Sequence, residues 1–293
     1  MGSFCLLYPV KYVFLILSFV CLFILPAHAQ NEDWDTYMAK FGDKPGSVLV
    51  DMGLASSAPD KRYPYLLITG PHVENCNSKD GLPNKEDIDQ LEEILDATDN
   101  FITGVTAKIL AGTFTYNCER VNYYYIKDTM GVRNAITRLY NRSYPNYKYT
   151  ITIRKDHEWK AYRTFLYPDE KVKNWMDNDK VISAMLQHGD SLTQKRDINF
   201  DLYFRSDTDR SSFIKFAKAK GYRADQLLTS ESKTAPYELI VSRFDYVKMD
   251  EVAAMTDEIK QEMKKYNGFY NGWEAPLKKA AASSKQQEGS MGR

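Results

Sequence analysis

The sequence is poor in the side chains that most often build catalytic and metal sites. Its 293 residues include four histidines and four cysteines, and none of them is paired at the spacing of a zinc site. The chain also lacks the nucleophile-elbow, zinc-protease, phosphate-binding-loop, dinucleotide-binding and Cys-x-x-Cys motifs. We therefore expect a protein that is not an enzyme and needs no metal or cofactor. The exception would be a site assembled from residues distant in sequence.

The chain also has no surplus of charge of either sign. It contains 39 basic and 39 acidic residues, whereas binding to nucleic acid depends on a basic surplus or patch that neutralises phosphates. The composition therefore argues against nucleic acid as the main partner and leaves a protein partner open.

The one long apolar run lies at the N-terminus. Residues 12–25 are apolar except for Ser18, and Ala27-His28-Ala29 follows as a small-x-small cleavage pattern. Because the run is short for a transmembrane span, it predicts a secretory signal peptide over residues 1–29, cleaved after Ala29. The mature protein is then exported, periplasmic or secreted, with no stable membrane span. A retained N-terminal anchor is the alternative.

Two cysteines remain after removal of the signal peptide. Cys5 and Cys21 leave with it, and Cys76 and Cys118 form an even pair in an oxidising compartment. We therefore predict a disulfide between Cys76 and Cys118. Two separate buried thiols are the alternative.

The N-terminal half alternates short strands with helices. Trp34 and Tyr37 stand at helical spacing and predict a short helix over residues 31–41, while Gly112 and Thr113 predict the turn of a hairpin. The other predicted elements are strands over residues 47–51, 63–70, 105–111, 114–126 and 147–154, a helix that begins after Asn84 and runs to residue 102, and a second helix over 129–140.

Asp156, His157 and Glu158 place a histidine between two acids, as in an orienter–base arrangement. Adjacent residues on a helix point in different directions, so a capping or surface role is the favoured interpretation.

The C-terminal half shows the clearest strand, residues 198–204, in which apolar and polar side chains alternate. A helix precedes it and ends near Gly189, in the position of a C-cap glycine. The elements that follow are a helix to Lys220, strands over residues 222–229 and 237–246, a helix over 249–266, and a closing aromatic run over 268–274.

Each half contains the order β-α-β-β-α-β. This order predicts an α+β protein of two ferredoxin-like sandwiches, each with an antiparallel sheet and helices on one face. We place the first domain at residues 30–170 and the second at 171–277, and we expect the polar residues 278–293 to be a disordered tail.

The C-terminal half resembles the family of the ribonuclease E activity regulator B (RraB-like). The matching residues are Gly189 and Asp190, Arg196 to Ile198 with Tyr203 and Phe204, Gly221 and Tyr222, and the run 268–274. The N-terminal half resembles a domain of unknown function, DUF 695. Its markers are Trp34, Tyr37, Tyr63 and Pro64, Gly81 to Pro83, Trp159-x-x-Tyr162, and Leu166 to Pro168.

The resemblance implies a binding protein that inhibits an enzyme and does no chemistry of its own. Ribonuclease E works inside the cell, whereas this chain carries an export signal, so only the fold is expected to carry over. Asn271 also stands where the family commonly has Asp, which weakens the case for an essential carboxylate at that position.

The favoured function is therefore an exported, non-enzymatic binding or regulatory protein. Its contact surfaces would be exposed sheet edges or the groove between the domains. Tyr270, Trp273 and Glu274 are the candidate binding residues, with packing onto the sheet as the alternative role of the aromatics. One alternative function is regulation of an RNA-processing enzyme, as in the RraB-like family. Another is a hydrolase acting on an envelope component.

Overall fold

The computed structural model describes residues 32–74, 76 and 80–279 and shows an α+β protein with two antiparallel sheets. The predicted signal peptide and residues 280–293 of the predicted tail lie outside the described residues. Lys278 and Lys279, predicted to begin the disordered tail, instead contact the fold. The backbone N–H of Lys278 donates to Asp190 at 2.7 Å, and Lys279 forms an antiparallel bridge with the same residue.

The N-terminal half is built on a six-stranded sheet in the order β1-β2-β4-β5-β3-β6, with antiparallel pairing throughout. Its strands are β1 (Trp34–Phe41), β2 (Lys44–Asp51), β3 (Tyr65–His72), β4 (Lys108–Tyr116), β5 (Glu119–Ile126) and β6 (Lys148–Lys155). Its helices are α1 (Lys85–Thr103) and α2 (Val132–Ser143), with a 3-10 turn at Met52–Ser56 and a π-helical turn at Tyr162–Leu166.

Both faces of this sheet are covered, because adjacent residues of a strand point to opposite faces. Leu67 on β3 and Tyr124 on β5 pack against α1 and α2, whereas Leu66 and Tyr125 pack in a second core with the segment around the π-helical turn. Met176, from the helix that follows, completes the second core.

The C-terminal half is built on a four-stranded sheet in the order β10-β7-β9-β8. Its elements are α3 (Glu170–Gln187), β7 (Arg196–Phe204), α4 (Asp207–Ala219), β8 (Arg223–Thr229), β9 (Tyr237–Asp245), α5 (Met249–Met263), a 3-10 turn (Lys264–Tyr266) and β10 (Phe269–Glu274). The alternating apolar residues of β7 are buried without exception and pack with α4 and α5 in one core.

Two local predictions were wrong. Residues 34–41 form strand β1 and not a helix, because Tyr37, Ala39 and Phe41 share the inward face at period 2. The hairpin turn lies at Asn117 and Cys118, whose φ angles of +48° and +67° are those a tight two-residue hairpin requires.

Gly112 lies instead within β4, at a register shift. A Cβ there would come 2.6 Å from the Leu49 carbonyl oxygen, so glycine is needed for close strand packing and not for a turn.

Candidate functional site

A cleft of about 630 Å³ opens between α3, α5 and β10, and we call it the α3–α5 cleft. Its wall contains two of the three predicted binding residues, Tyr270 and Trp273. Its lining includes three acidic and three basic side chains, which are Glu170, Asp177, Asp257, Lys173, Lys260 and Lys264.

Trp273 belongs to the core of the C-terminal half. It lies opposite Phe200 of β7, and its side chain packs in the same apolar cluster, with 9% of the residue exposed. Its indole N–H donates to Asn178 Oδ1 at 2.9 Å, in a buried bond. This placement gives Trp273 a packing role, with one edge at the cleft wall.

The Trp273 bond ends a chain of buried polar groups that joins α3 to α5. The side-chain amides of Asn174 and Asn178 both donate to the Thr256 hydroxyl, at 2.9 Å each. Thr256 donates in turn to the Val252 carbonyl of its own helix, at 2.9 Å. Each of these three polar side chains is nearly inaccessible to solvent, so the network fixes the spacing of the two helices.

The other end of the network is Lys260, whose ammonium donates to Asn174 Oδ1 at 2.7 Å. Burial lowers the pKa of Lys260, although the nearby Asp177 carboxylate opposes this effect. The same ammonium lies 5.0 Å from the centre of the Tyr270 ring, within cation–π range. The α3–α5 cleft therefore contains the Lys260 ammonium, held in place by Asn174, beside the face of the Tyr270 ring.

Tyr270 is half-buried, and its hydroxyl oxygen is buried without a hydrogen-bond partner among the described residues. Burial raises the pKa of Tyr270 well above its usual range, and the Asp177 carboxylate adds to the rise. The hydroxyl therefore stays protonated and can donate a hydrogen bond.

Glu274 is exposed at the end of β10, opposite Asn199, and does not line the α3–α5 cleft. Asn271 donates to Asp201 Oδ2 at 2.8 Å, next to the register shift of β10. The structure thus brings Tyr270 and Trp273 together at the α3–α5 cleft, whereas Glu274 shares a separate recess of about 280 Å³ with Trp273 and Asn271.

Sequence reasoning missed Asn174 and Asn178, although a signal was present. Asn174 and Asn178 are four residues apart and lie on the same buried face of α3 as Ile182 and Met185. Two amides therefore occupy positions in the apolar stripe of this helix. A buried amide needs partners, and such a pair on an inward face predicts a polar contact with a neighbouring helix.

A second recess, of about 500 Å³, lies between the edge strand β1 and α3, and we call it the β1–α3 groove. Within the described ranges β1 pairs only with β2, so no described strand lies beside its outer edge. Met38 and Trp175 line the groove with 54% and 50% of their surfaces exposed. Lys180 and Asp35 form an ion pair of 2.5 Å across it.

The Asp156-His157-Glu158 sequence does not form a catalytic arrangement. The Asp156 carboxylate accepts the backbone N–H groups of Lys160 and Ala161, at 2.8 and 2.9 Å, and the Tyr125 hydroxyl at 2.8 Å. His157 is exposed. Asp156 therefore caps the turn that follows, which agrees with the capping role favoured from the sequence.

The Trp159-x-x-Tyr162 marker is also structural. The Trp159 ring stacks on Tyr125 with 3.9 Å between ring centres, and its indole donates to the Tyr63 carbonyl at 3.1 Å. The Tyr162 hydroxyl donates to the Asp51 carbonyl at 2.8 Å. The motif therefore ties the last segment of the N-terminal half to the start of β3 and the end of β2.

Asp190 and Arg196, two markers of the C-terminal half, form a fully buried ion pair. Arg196 also donates to the Pro276 carbonyl at 3.0 Å, and Asp190 accepts the backbone N–H groups of Leu192 and Lys278. The pair thus holds the segment that follows β10 against the start of β7.

The disulfide predicted between Cys76 and Cys118 is not formed in this structure, in which each is a free, partly exposed thiol. Over residues 32–74, 76 and 80–279, no group of three or more His, Cys, Asp or Glu side chains could hold a metal ion. Within the same ranges, no helix combines the length and the apolarity needed to cross a bilayer.

Two family models match the chain, in the order that the sequence predicted. The family of unknown function DUF695 matches residues 32–167, and the family described as regulator of ribonuclease activity B (RraB) matches residues 175–275. The chain pairs a DUF695-like half with an RraB-like half. The RraB-like match begins within α3, the helix whose Val172 and Met176 still pack on the N-terminal sheet.

No curated protein matches the chain, whereas eight chains of solved structures do. One is a candidate glycine cleavage system transcriptional repressor, with 7% identity over 73% of this chain and 98% of its own, and a TM-score of 0.23. Another is an unknown protein from Galdieria sulphuraria, with 10% identity over 73% of this chain and 99% of its own, and a TM-score of 0.20. Similarity at these TM-scores carries no information about fold or function.

Proposed function

We propose that this protein is an exported, non-enzymatic regulator that acts by binding another protein through the β1–α3 groove. The observation that carries the proposal is the open edge of β1 beside the exposed side chains of Met38 and Trp175. The RraB-like match supports the regulatory part, since the name of that family describes a regulator of ribonuclease activity.

The binding mode that suits this groove is addition of a strand. An edge strand presents unpaired backbone N–H and C=O groups, and an extended segment of a partner can bond to them while its side chains enter neighbouring pockets. The apolar surfaces of Met38 and Trp175 would receive apolar side chains of that segment. The partner is therefore a protein with an extended, partly apolar segment.

Both sheets support a ferredoxin-like assignment for the two halves. In the second half, the four strands numbered in chain order lie as 4-1-3-2. In the first half, β3, β4, β5 and β6 lie in the same relative order, and β1 and β2 extend the sheet beyond β4. We propose that β1–β2 is an addition to a ferredoxin-like unit and supplies the binding edge.

Export rests on the predicted signal peptide at residues 1–29. Cell fractionation with N-terminal sequencing tests it, because an exported protein begins at Gln30 in the envelope or the medium. An uncleaved, purely cytoplasmic chain would favour the second candidate function, regulation of an RNA-processing enzyme, to which the description of the RraB family points.

Site-specific photocrosslinking tests the groove directly. A photoreactive amino acid at Met38 or Trp175 should crosslink one partner in the native producer, whereas the same group at Phe244 should not. Phe244 is a matched control because it is 57% exposed and lies on β9, away from the groove. With the purified partner, Trp175→Ala should weaken the Kd by about tenfold or more. Equal crosslinking at all three positions would reject the groove as the binding surface.

A further inference from the structure

The backbone of Cys118, in the turn between β4 and β5, is hydrogen-bonded to the chain on both sides of Cys76. The N–H of Val73, just after β3, donates to the Cys118 carbonyl at 2.8 Å, and the Cys118 N–H donates to the Gly81 carbonyl at 2.7 Å. Cys76 lies between Val73 and Gly81 in the sequence. The chain therefore returns to Cys118 twice, on either side of Cys76.

The side chains of the two cysteines meet at this junction. The Cys76 thiol donates to the Leu82 carbonyl at 3.2 Å, and the residue before Leu82, Gly81, accepts the Cys118 N–H through its carbonyl. The Cys76 thiol is also near enough to raise the pKa of the Cys118 thiol. The two positive φ angles of the turn fix the direction in which the Cys118 side chain leaves the backbone. Two thiols brought near each other on segments already held by backbone hydrogen bonds are placed for a disulfide to form with little movement.

Lys44 adds a positive charge beside the pair, and its ammonium donates to Asn117 Oδ1 at 2.8 Å. Burial raises the pKa of the Cys118 thiol to about 11, with the Cys76 thiol adding to the rise and Lys44 opposing it. Cys118 thus stays a thiol at neutral pH. Once Cys76 is consumed in a bond, its contribution to that rise disappears, which favours ionisation of Cys118.

We propose that Cys76 and Cys118 are a redox-modification site, whose disulfide locks the end of β3 and the Gly81–Leu82 segment to the β4–β5 turn. The oxidant is a low-molecular-weight or protein disulfide. The Cys76 thiolate attacks one sulfur of that disulfide, its S–S bond breaks, and one thiol leaves. The Cys118 thiolate then attacks the Cys76 sulfur, and the second half of the oxidant leaves. The two leaving thiolates take up the two protons that the cysteines gave up, so two thiols are released in all.

The test equilibrates the full chain, without oxygen, in a series of reduced and oxidised glutathione mixtures. Acid quenching, alkylation and peptide mapping then report the state of each cysteine, with Cys5 and Cys21 resolved on their own peptides. We expect the Cys76–Cys118 linked peptide to dominate as the oxidised fraction rises. In Cys118→Ser, the linked peptide should vanish and Cys76 should carry a glutathione adduct.

Amide hydrogen exchange provides a second readout, which tests whether the disulfide holds the end of β3 and the Gly81–Leu82 segment to the β4–β5 turn. The Val73 and Cys118 amides should exchange at least tenfold more slowly in the oxidised chain than in the reduced one, and Cys76→Ser should remove this difference. Independent alkylation of the two cysteines across the whole series, or unchanged exchange at both amides, would overturn the proposal. Neither outcome depends on the binding function of the β1–α3 groove.

Discussion

The indole N–H of Trp273 donates to the amide oxygen of Asn178 at 2.9 Å, which joins the closing strand to a helix 95 residues earlier in the chain. Asn178 in turn donates to Thr256 on α5. One tryptophan therefore positions β10, α3 and α5 together, and these elements are the walls of the α3–α5 cleft.

Replacing Trp273 by Phe should destabilise the protein by about 1–3 kcal/mol. The aromatic ring is largely kept, but the Asn178 oxygen loses its donor in a buried place, and a buried polar group without a partner costs free energy of that size. Urea unfolding followed by circular dichroism measures the change. Trp175→Phe is the control, because Trp175 is half exposed and should stay within about 0.5 kcal/mol of the original stability.

Thr256→Val should cost about 2–3 kcal/mol, because the hydroxyl accepts hydrogen bonds from two buried amides while valine has the same shape and accepts none. Thr103→Val is the matched change on α1, where the threonine is exposed and its hydroxyl donates to the Asp99 carbonyl of its own helix. Equal losses of unfolding free energy in the two variants would show that the buried network contributes nothing special.

The sequence predicted the sheet of the C-terminal half well because one pattern dominated it. In β7 every second side chain is buried, and no competing periodicity exists there. In β1 the pattern was ambiguous, since Trp34 and Tyr37 match a helical spacing while Tyr37, Ala39 and Phe41 match a strand. The structure resolves this ambiguity through pairing with β2, a contact between segments that local spacing does not encode.

The candidate sites were harder to predict for a different reason. Tyr270 and Trp273 were identified as aromatics of a closing strand, but the polar groups that they meet come from α3 and α5, far away in the chain. The β1–α3 groove could not be predicted at all while residues 31–41 were assigned to a helix. A disulfide between Cys76 and Cys118 was predicted from their even number in an exported protein, whereas the structure shows two free thiols.

Gly70→Ala should destabilise the protein by about 3 kcal/mol or prevent folding. A Cβ at Gly70 would stand 2.1 Å from the Arg120 carbonyl oxygen on the neighbouring strand, so the strands must separate. Gly104→Ala is the matched control at the end of α1, where the nearest atom lies at an ordinary 3.6 Å and φ is −72°. We expect that variant to unfold at the original urea concentration or slightly above it.

Asp190→Ala should cost about 3–5 kcal/mol, because it leaves the Arg196 guanidinium buried without its counter-charge. Asp207→Ala is the surface control, since the Arg210–Asp207 pair has an exposed carboxylate and should change the unfolding free energy by about 1 kcal/mol at most. Equal losses would show that the buried pair is not a special determinant of stability.

The Asp190–Arg196 pair predicts that the free energy of unfolding decreases at acid pH. Burial acts to raise the pKa of Asp190, but hydrogen bonds from Arg196 and from the Lys278 and Leu192 backbones outweigh it and hold the pKa at about 2, below the ordinary 3.8. Because the folded state binds this proton less tightly than the unfolded state, the carboxylate stabilises the fold above pH 3.8. That contribution, about 2 kcal/mol, is lost as the pH falls toward 2. Urea unfolding between pH 5 and pH 2 should therefore show a steeper loss for the original chain than for Asp190→Asn, which carries no titrating group at this position. Parallel curves for the two proteins would contradict the assignment.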